Sequence, residues 1–152
     1  MSNPTNDFLI STFANREPDQ IIGYPDDPIQ HRWVLIPRSP VNDYVLFLNH
    51  HLHSEIYQDP HDHPWDNASI ILRGGYWDIT DTERIWRKVG DIIERKAREP
   101  HRLELEPDIE CWTLFLVGRR IFPDWGFLTS TGYVDQETYR DEMRKRRNSI
   151  LK

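Results

Sequence analysis

Cysteine is nearly absent from this 152-residue sequence: Cys111 stands alone. One thiol excludes an internal disulfide framework and any zinc site built from several cysteines, and it suits a reducing compartment. Long apolar runs are missing too. Nothing approaches the ~20 residues that span a bilayer, and Met1 to Asp7 is polar, without a basic-then-apolar signal pattern. A cytoplasmic protein with no membrane partner is therefore expected. Cations are in deficit, with 19 Lys and Arg against 25 Asp and Glu and a net charge of −6. Residues 140–152 run the other way, carrying six cations against Asp141 and Glu142, so the remainder is more acidic still. Phosphate affinity needs Lys and Arg to displace counterions, which argues against nucleic-acid binding by the body of the protein. The basic tail fits a solvated helix end, where cations favour the C-terminal dipole.

The apolar fraction, 38%, is low for a globular domain, yet six Trp, six Tyr and six Phe compensate. One ordinary domain is expected over 1–152, with an aromatic-rich core and a charged surface. Eleven prolines and seven glycines divide the chain into short intervals rich in β-branched and aromatic residues. This pattern predicts an all-β domain. The expected strands are Arg32–Ile36, Tyr44–His53, Ala68–Leu72, Tyr76–Thr80, Arg84–Lys88, Asp91–Glu94, His101–Glu106 and Cys111–Val117, with a short one near Trp125–Leu128. Helix is expected weakly at Asp7–Arg16 and again from an Asp135 N-cap to about Arg147. So many short strands must close into a barrel or pack as two sheets. The barrel is expected over about 32–128, between an N-terminal arm (1–31) and a C-terminal helical tail (135–152).

Seven histidines occur, and three form a pattern. His61 and His63 flank Asp62, so in an extended segment both imidazoles point to one side. His101 heads a strand whose alternation puts Leu103 and Leu105 on its own face, with Arg102, Glu104 and Glu106 opposite. The leucines mark the inner face, so His101 points inward. Three imidazoles converging from distant segments would cap one metal ion and leave positions open for water or substrate. Imidazole suits Fe, Zn, Cu and Ni alike, so donor type does not name the metal. His51 shares a strand face with His53 and could orient a ligand through a hydrogen bond. Gly74-Gly75 reads as a turn between strands. No helix follows it, so it is not a phosphate loop.

The spacing continues beyond the histidines. From His63 the chain runs Pro64-Trp65-Asp66-Asn67, then six residues to Gly74; Gly90 follows, and His101 lies eleven positions after it. This resembles the two-motif signature of the cupin superfamily, whose fold is a double-stranded β-helix, the jelly-roll barrel. The phrases Arg32-Trp33, Ile36-Pro37-Arg38, His61-Asp62-His63-Pro64-Trp65, Gly74-Gly75-Tyr76 and Asp124-Trp125-Gly126-Phe127 are similar to a small single-domain cupin group of bacterial and phage genomes. The resemblance covers about residues 55–105 directly. It implies metal ligation by His61, His63 and His101. It also implies a fourth, carboxylate ligand at the position occupied by Asn67, which offers no anionic oxygen. Further departures are Glu55 in place of the first motif's glycine, Lys96 and Arg98 in place of a proline and a glycine, and Leu105 in place of an asparagine. Two readings follow: a three-histidine site, or one completed by Asp66 or Asp78.

The resemblance implies a divalent metal cofactor, Fe(II) favoured with Zn, Ni or Mn as alternatives, and a small-molecule substrate. Pairing of two copies through sheet edges is also compatible with it. The leading functional expectation is a mononuclear Fe(II) three-histidine oxygenase. Alternatives are a metal-assisted isomerase or lyase, and a non-catalytic small-ligand-binding module. Tyr76 is the candidate for proton transfer, and Arg73, Trp65 and Arg119 are candidates for substrate binding.

Overall fold

In the computed structural model, residues 3–152 are described. The chain opens with α1 (Pro4–Ala14), capped by Asn3, whose side chain accepts from the Thr5 N–H, with Pro4 in the first turn. Proline is preorganised there, and its missing N–H costs nothing. Eleven strands follow. A six-stranded sheet has the order β1 (Gln20–Tyr24), β2 (Asp27–Ile36), β3 (Val45–His51), β9 (Cys111–Val117), β4 (Asn67–Arg73) and β7 (Ile92–Arg95). A three-stranded sheet orders β6 (Arg84–Lys88), β5 (Gly75–Ile79) and β8 (Arg102–Glu104), and β10 (Gly126–Thr129) pairs with β11 (Gly132–Asp135). Neighbouring strands are antiparallel throughout. The chain ends in α2 (Gln136–Ile150), and Asp135 is its N-cap, accepting from the Thr138 N–H. The fold is all-β, a jelly roll carrying a C-terminal helix, as expected.

Strand alternation sorts the large sheet. One face of β3 and β9 points into the barrel, where Phe47, Phe115 and Val117 pack together. The opposite face presents Trp33, Leu48 and Trp112, and α1 covers them through Ile10. Between the sheets lie Ile71, Tyr76, Ile93, Leu103, Leu105 and Cys111. Cys111 is a buried small hydrophobe, and burial pushes its thiol up to about 12. The chain passes from the large sheet to the small one at Gly74, where φ is +73°. A Cβ there would fall 1.9 Å from the Glu110 carbonyl oxygen, so this corner requires glycine.

The N-terminal arm is not separate from the barrel. Gln20–Tyr24 pairs with β2, which starts at Asp27 rather than Arg32. Gly23 and Pro28 hid this hairpin, because both residues read as breaks in a strand. β11 escaped the sequence pattern because only four residues separate Thr131 from the helix. The basic tail is partly tied down: Arg147 pairs with Asp26 and lies over the Tyr24 ring. Among the described residues, no helix is long and apolar enough to cross a membrane.

Candidate metal centre

His61 and His101 face each other as a two-residue antiparallel bridge. The His61 N–H donates to the His101 carbonyl at 2.8 Å and the His101 N–H returns the bond at 2.9 Å. This pairing sets the two side chains next to each other on the inner face. His63 is two residues on and therefore points the same way, while Asp62 points out and is buried on the other side. There its carboxylate accepts from the Gly126 N–H at 2.8 Å and from Arg98 at 3.1 Å. Arg98 occupies the left-handed region at φ 69°, where the motif would place a glycine. Asp62, Asp124 and the Tyr133 hydroxyl hold its guanidinium and offset that strain.

The three imidazoles offer ring nitrogens within 4.8 Å of one another, the arrangement of donors that a single ion requires. Each ring is fixed from behind. Asp78 Oδ1 lies 3.2 Å from His101 Nδ1, which favours the tautomer that leaves Nε2 with its lone pair. Trp65 stacks on His63 at 4.8 Å between ring centroids. Glu55 Oε2 approaches His61 Nδ1 at 3.5 Å and also accepts from the Leu103 N–H. Burial, together with the neighbouring rings, lowers His63 well below the ordinary imidazole value; burial brings His101 down to about 4. Both are therefore neutral at pH 7, the form that binds metal. His63 Nδ1 is buried with no hydrogen-bond partner. An orphaned ring nitrogen beside two further imidazoles fits an ion or ligand at this point.

The two carboxylates of the second sequence reading, Asp66 and Asp78, are both engaged elsewhere. Asp66 faces solvent and accepts from the Ala97 N–H and Lys96, so it does not complete the site. Asp78, 2% exposed, is occupied by Arg95 and Arg87 and acts on the triad through His101. Burial alone would raise its pKa, but the His101 hydrogen bond and the Arg95 charge outweigh burial and hold it at about 2. Glu55 is the carboxylate in the chamber. Burial raises its pKa too, and the facing His61 more than offsets this, leaving the group below the usual carboxylate range. Sequence reasoning passed over Glu55, since it stood there only as a missing glycine.

The histidines line a chamber of about 90 Å³ that also takes in Asn67, His51 and Tyr76. Asn67 Nδ2 is buried there without a partner. His51 sits in the wall, its Nε2 3.5 Å from the Thr113 hydroxyl. Burial raises the Tyr76 phenol well above its usual value, so it stays protonated. A larger cavity of about 350 Å³ shares the walls formed by His61, His63, Glu55 and Arg32, and continues past Trp65 to Trp125. Trp65 is thus on this wall. The other two substrate candidates are elsewhere: Arg73 is on the outer surface paired with Asp7, and Arg119 lines a separate surface depression beside Asp66. Arg73 closes β4 at the edge where α1 docks, and Arg119 lies beyond the end of β9, so neither side chain reaches the chamber.

No family model matches the sequence, and no curated protein matches it. Solved structures do resemble it. A cupin-like protein from Thermotoga maritima superposes with a TM-score of 0.58 at 18% identity, covering 83% of this chain and 93% of its own. The cupin-2 domain protein Rru_A2000 from Rhodospirillum rubrum gives 0.60 at 14% identity, covering 74% and 76%. Fe(II)-HppE, solved with the alternative substrate (S)-1-HPP, gives 0.54 at 9% identity, covering 68% and 56%. The fold of this chain, antiparallel sheets closed into a jelly roll, is the one these cupin structures share.

Proposed function

We propose that His61, His63 and His101 hold one divalent metal ion, Fe(II) favoured over Zn, Ni or Mn, in a mononuclear enzyme acting on a small molecule. The convergence of three imidazoles within one coordination sphere carries this reading. That a structural neighbour is an Fe(II) enzyme supports iron. Bound in a three-nitrogen cap, Fe(II) would supply Lewis acidity and redox chemistry toward oxygen. The protein's own residues do the remaining work. Asp78 fixes the His101 tautomer, Trp65 fixes the His63 ring, and Glu55 orients His61. The Tyr76 phenol, protonated and in the chamber wall, is positioned to donate a proton. An oxygenase is the leading reading. The pairing of an ionised Glu55 with a protonated Tyr76 in one chamber favours a second one, an isomerase or lyase that moves protons without oxygen.

Metal content, measured by mass spectrometry on protein supplied with defined ions, tests the assignment. Near-stoichiometric metal in the parent and its loss in His61→Ala and His101→Ala are expected; unchanged metal content in both variants overturns it. Oxygen uptake over a panel of thiols, phenols and oxo-acids then separates the readings. Metal-dependent turnover without uptake points to the isomerase or lyase, and ligand binding without turnover to a binding module.

A further inference from the structure

The donors around the larger cavity are out of balance with the acceptors. Arg32 projects inward from β2, its guanidinium 4.4 Å from the Phe47 ring and 5.6 Å from the Phe115 ring. Its Nε donates to Asn49 Oδ1 at 2.8 Å, and among the described residues no carboxylate lies within salt-bridge distance of it. Burial with no compensating anion lowers its pKa to about 10. Arg140 arrives from α2 over the Trp125 ring at 5.0 Å, and its Nε is buried without a partner. Gln30, 8% exposed, has its side-chain Nε2 unpartnered on the same wall. Desolvated guanidinium groups are costly unless an anion meets them. The single carboxylate of this wall, Glu55, is already engaged by His61 and the Leu103 N–H. Both guanidiniums therefore face the cavity with no free carboxylate on its wall to meet them.

We propose that this cavity binds a small monoanionic carboxylate with a flat apolar or aromatic body, its carboxylate held by Arg32 and Arg140. The planar fork of arginine matches a carboxylate through two parallel hydrogen bonds. The body of the ligand meets an apolar wall that includes Trp65, Trp125, Phe127, Ile22 and Ile29. A volume of about 350 Å³ is at the small end of ligand pockets, which run from roughly 300 to 1,000 Å³. A planar carboxylate offers both of its oxygens in one plane to the planar guanidiniums, whereas tetrahedral phosphate leaves oxygens out of that plane. His61 and His63 line the same space, so a carboxylate held at the arginines keeps its body beside the histidines. This names the substrate class of the site proposed above. It rests on that reading for catalysis but not for binding.

Binding is therefore tested in chelator-treated, metal-free protein by calorimetry and tryptophan fluorescence. The probes are benzoate, phenylacetate, cyclohexanecarboxylate, benzamide and inorganic phosphate. At least one carboxylate is expected to saturate, with benzamide and phosphate weaker by roughly tenfold or more. Arg140→Gln and Arg32→Gln are each expected to weaken that carboxylate by about tenfold or more and to leave benzamide unchanged. If Arg32→Gln does not fold, Arg140→Gln decides, since its side chain lies on a surface helix. No carboxylate binding below 10 mM (roughly the weakest useful affinity), equal binding of benzoate and benzamide, stronger binding of phosphate, or an unaffected Arg140→Gln protein would each overturn the proposal. The metal titration stands apart from these results, so loss of the metal reading leaves the anion result interpretable, and the converse holds too.

Discussion

Replacing Asp78 by asparagine removes one charge and keeps the shape, and the surroundings set the cost. The carboxylate is 2% exposed. Arg95, itself 8% exposed, reaches both of its oxygens at 2.8 Å, Arg87 reaches Oδ2 at 3.0 Å, and His101 Nδ1 approaches Oδ1 at 3.2 Å. Asparagine offers one carbonyl oxygen to these donors and turns an NH2 group toward a guanidinium. Removing one partner of a buried pair costs about 3–5 kcal/mol, because the other charge is left desolvated and unpaired. The Asp78→Asn protein should therefore lose about 3 kcal/mol or more at pH 7. A carboxylate behind a ligating histidine is also worth about 10–100-fold in metal affinity. Two assays follow the two effects: urea unfolding of the metal-free proteins, and metal titration of the folded ones. The pH dependence gives a stricter check. Asp78 titrates at about 2 in the folded protein against ~3.9 when unfolded. A depressed pKa contributes stability that is complete above pH ~4 and lost as pH falls toward 2. The gap between parent and variant should accordingly narrow over that window. A gap under about 1 kcal/mol at pH 7, or one that persists unchanged at pH 2, would refute the assignment of Asp78 as the charged keystone behind His101.

Glu55→Gln should lower metal affinity about tenfold or more, yet shift unfolding by less than about 1 kcal/mol, because glutamine still accepts from the Leu103 N–H; metal titration beside urea unfolding separates the two. Tyr139 stacks on Phe127 at 3.9 Å and donates to Asp59 at 2.7 Å. Tyr139→Phe should cost about 1 kcal/mol and Tyr139→Ala about 3–5 kcal/mol by urea unfolding, the second by undocking α2. The metal-free protein should lose thermal stability on acidification. His51 and His101 are depressed to about 4, and His63 lies well below its usual value. Their contribution is thus complete above the unfolded value of ~6.5 and lost as pH falls toward 4. A melting temperature that stays level from pH 7.5 to 5 would contradict the burial of these rings.

Residues that obey a period were legible in the sequence. β6 and β9 fall on their expected boundaries, and His101 shares its inward face with Leu103 and Leu105, as alternation requires. Asp135 is the helix cap because Asp at that point precedes a run of helix formers. Where the sequence misled, the cause was a partner far along the chain. β1 is a strand only because β2 extends back to Asp27 to receive it. Arg73 and Arg119 were candidates for substrate binding by residue type, while their places at the strand ends turned them to the outside. Arg32 and Arg140 carry no local sign of their role. One needs the inward register of β2, the other the docking of α2 through Tyr139, before either guanidinium meets the cavity.

The carboxylate beside the three histidines makes the same point in a single pair of residues. Along the chain, two of the departures from the cupin pattern, asparagine at 67 and glutamate at 55, each read as a loss when taken alone. In space the two residues line one chamber with the three histidines. An acidic oxygen absent from β4 is present on the segment that follows β3, 3.5 Å from His61. A glycine at 55 would leave His61 with no carboxylate behind it, whereas Asp78 already serves His101 and Trp65 backs His63. His63 and His101, kept neutral by burial, thus stand beside a His61 that has an anion in reach, surroundings that suit a divalent cation.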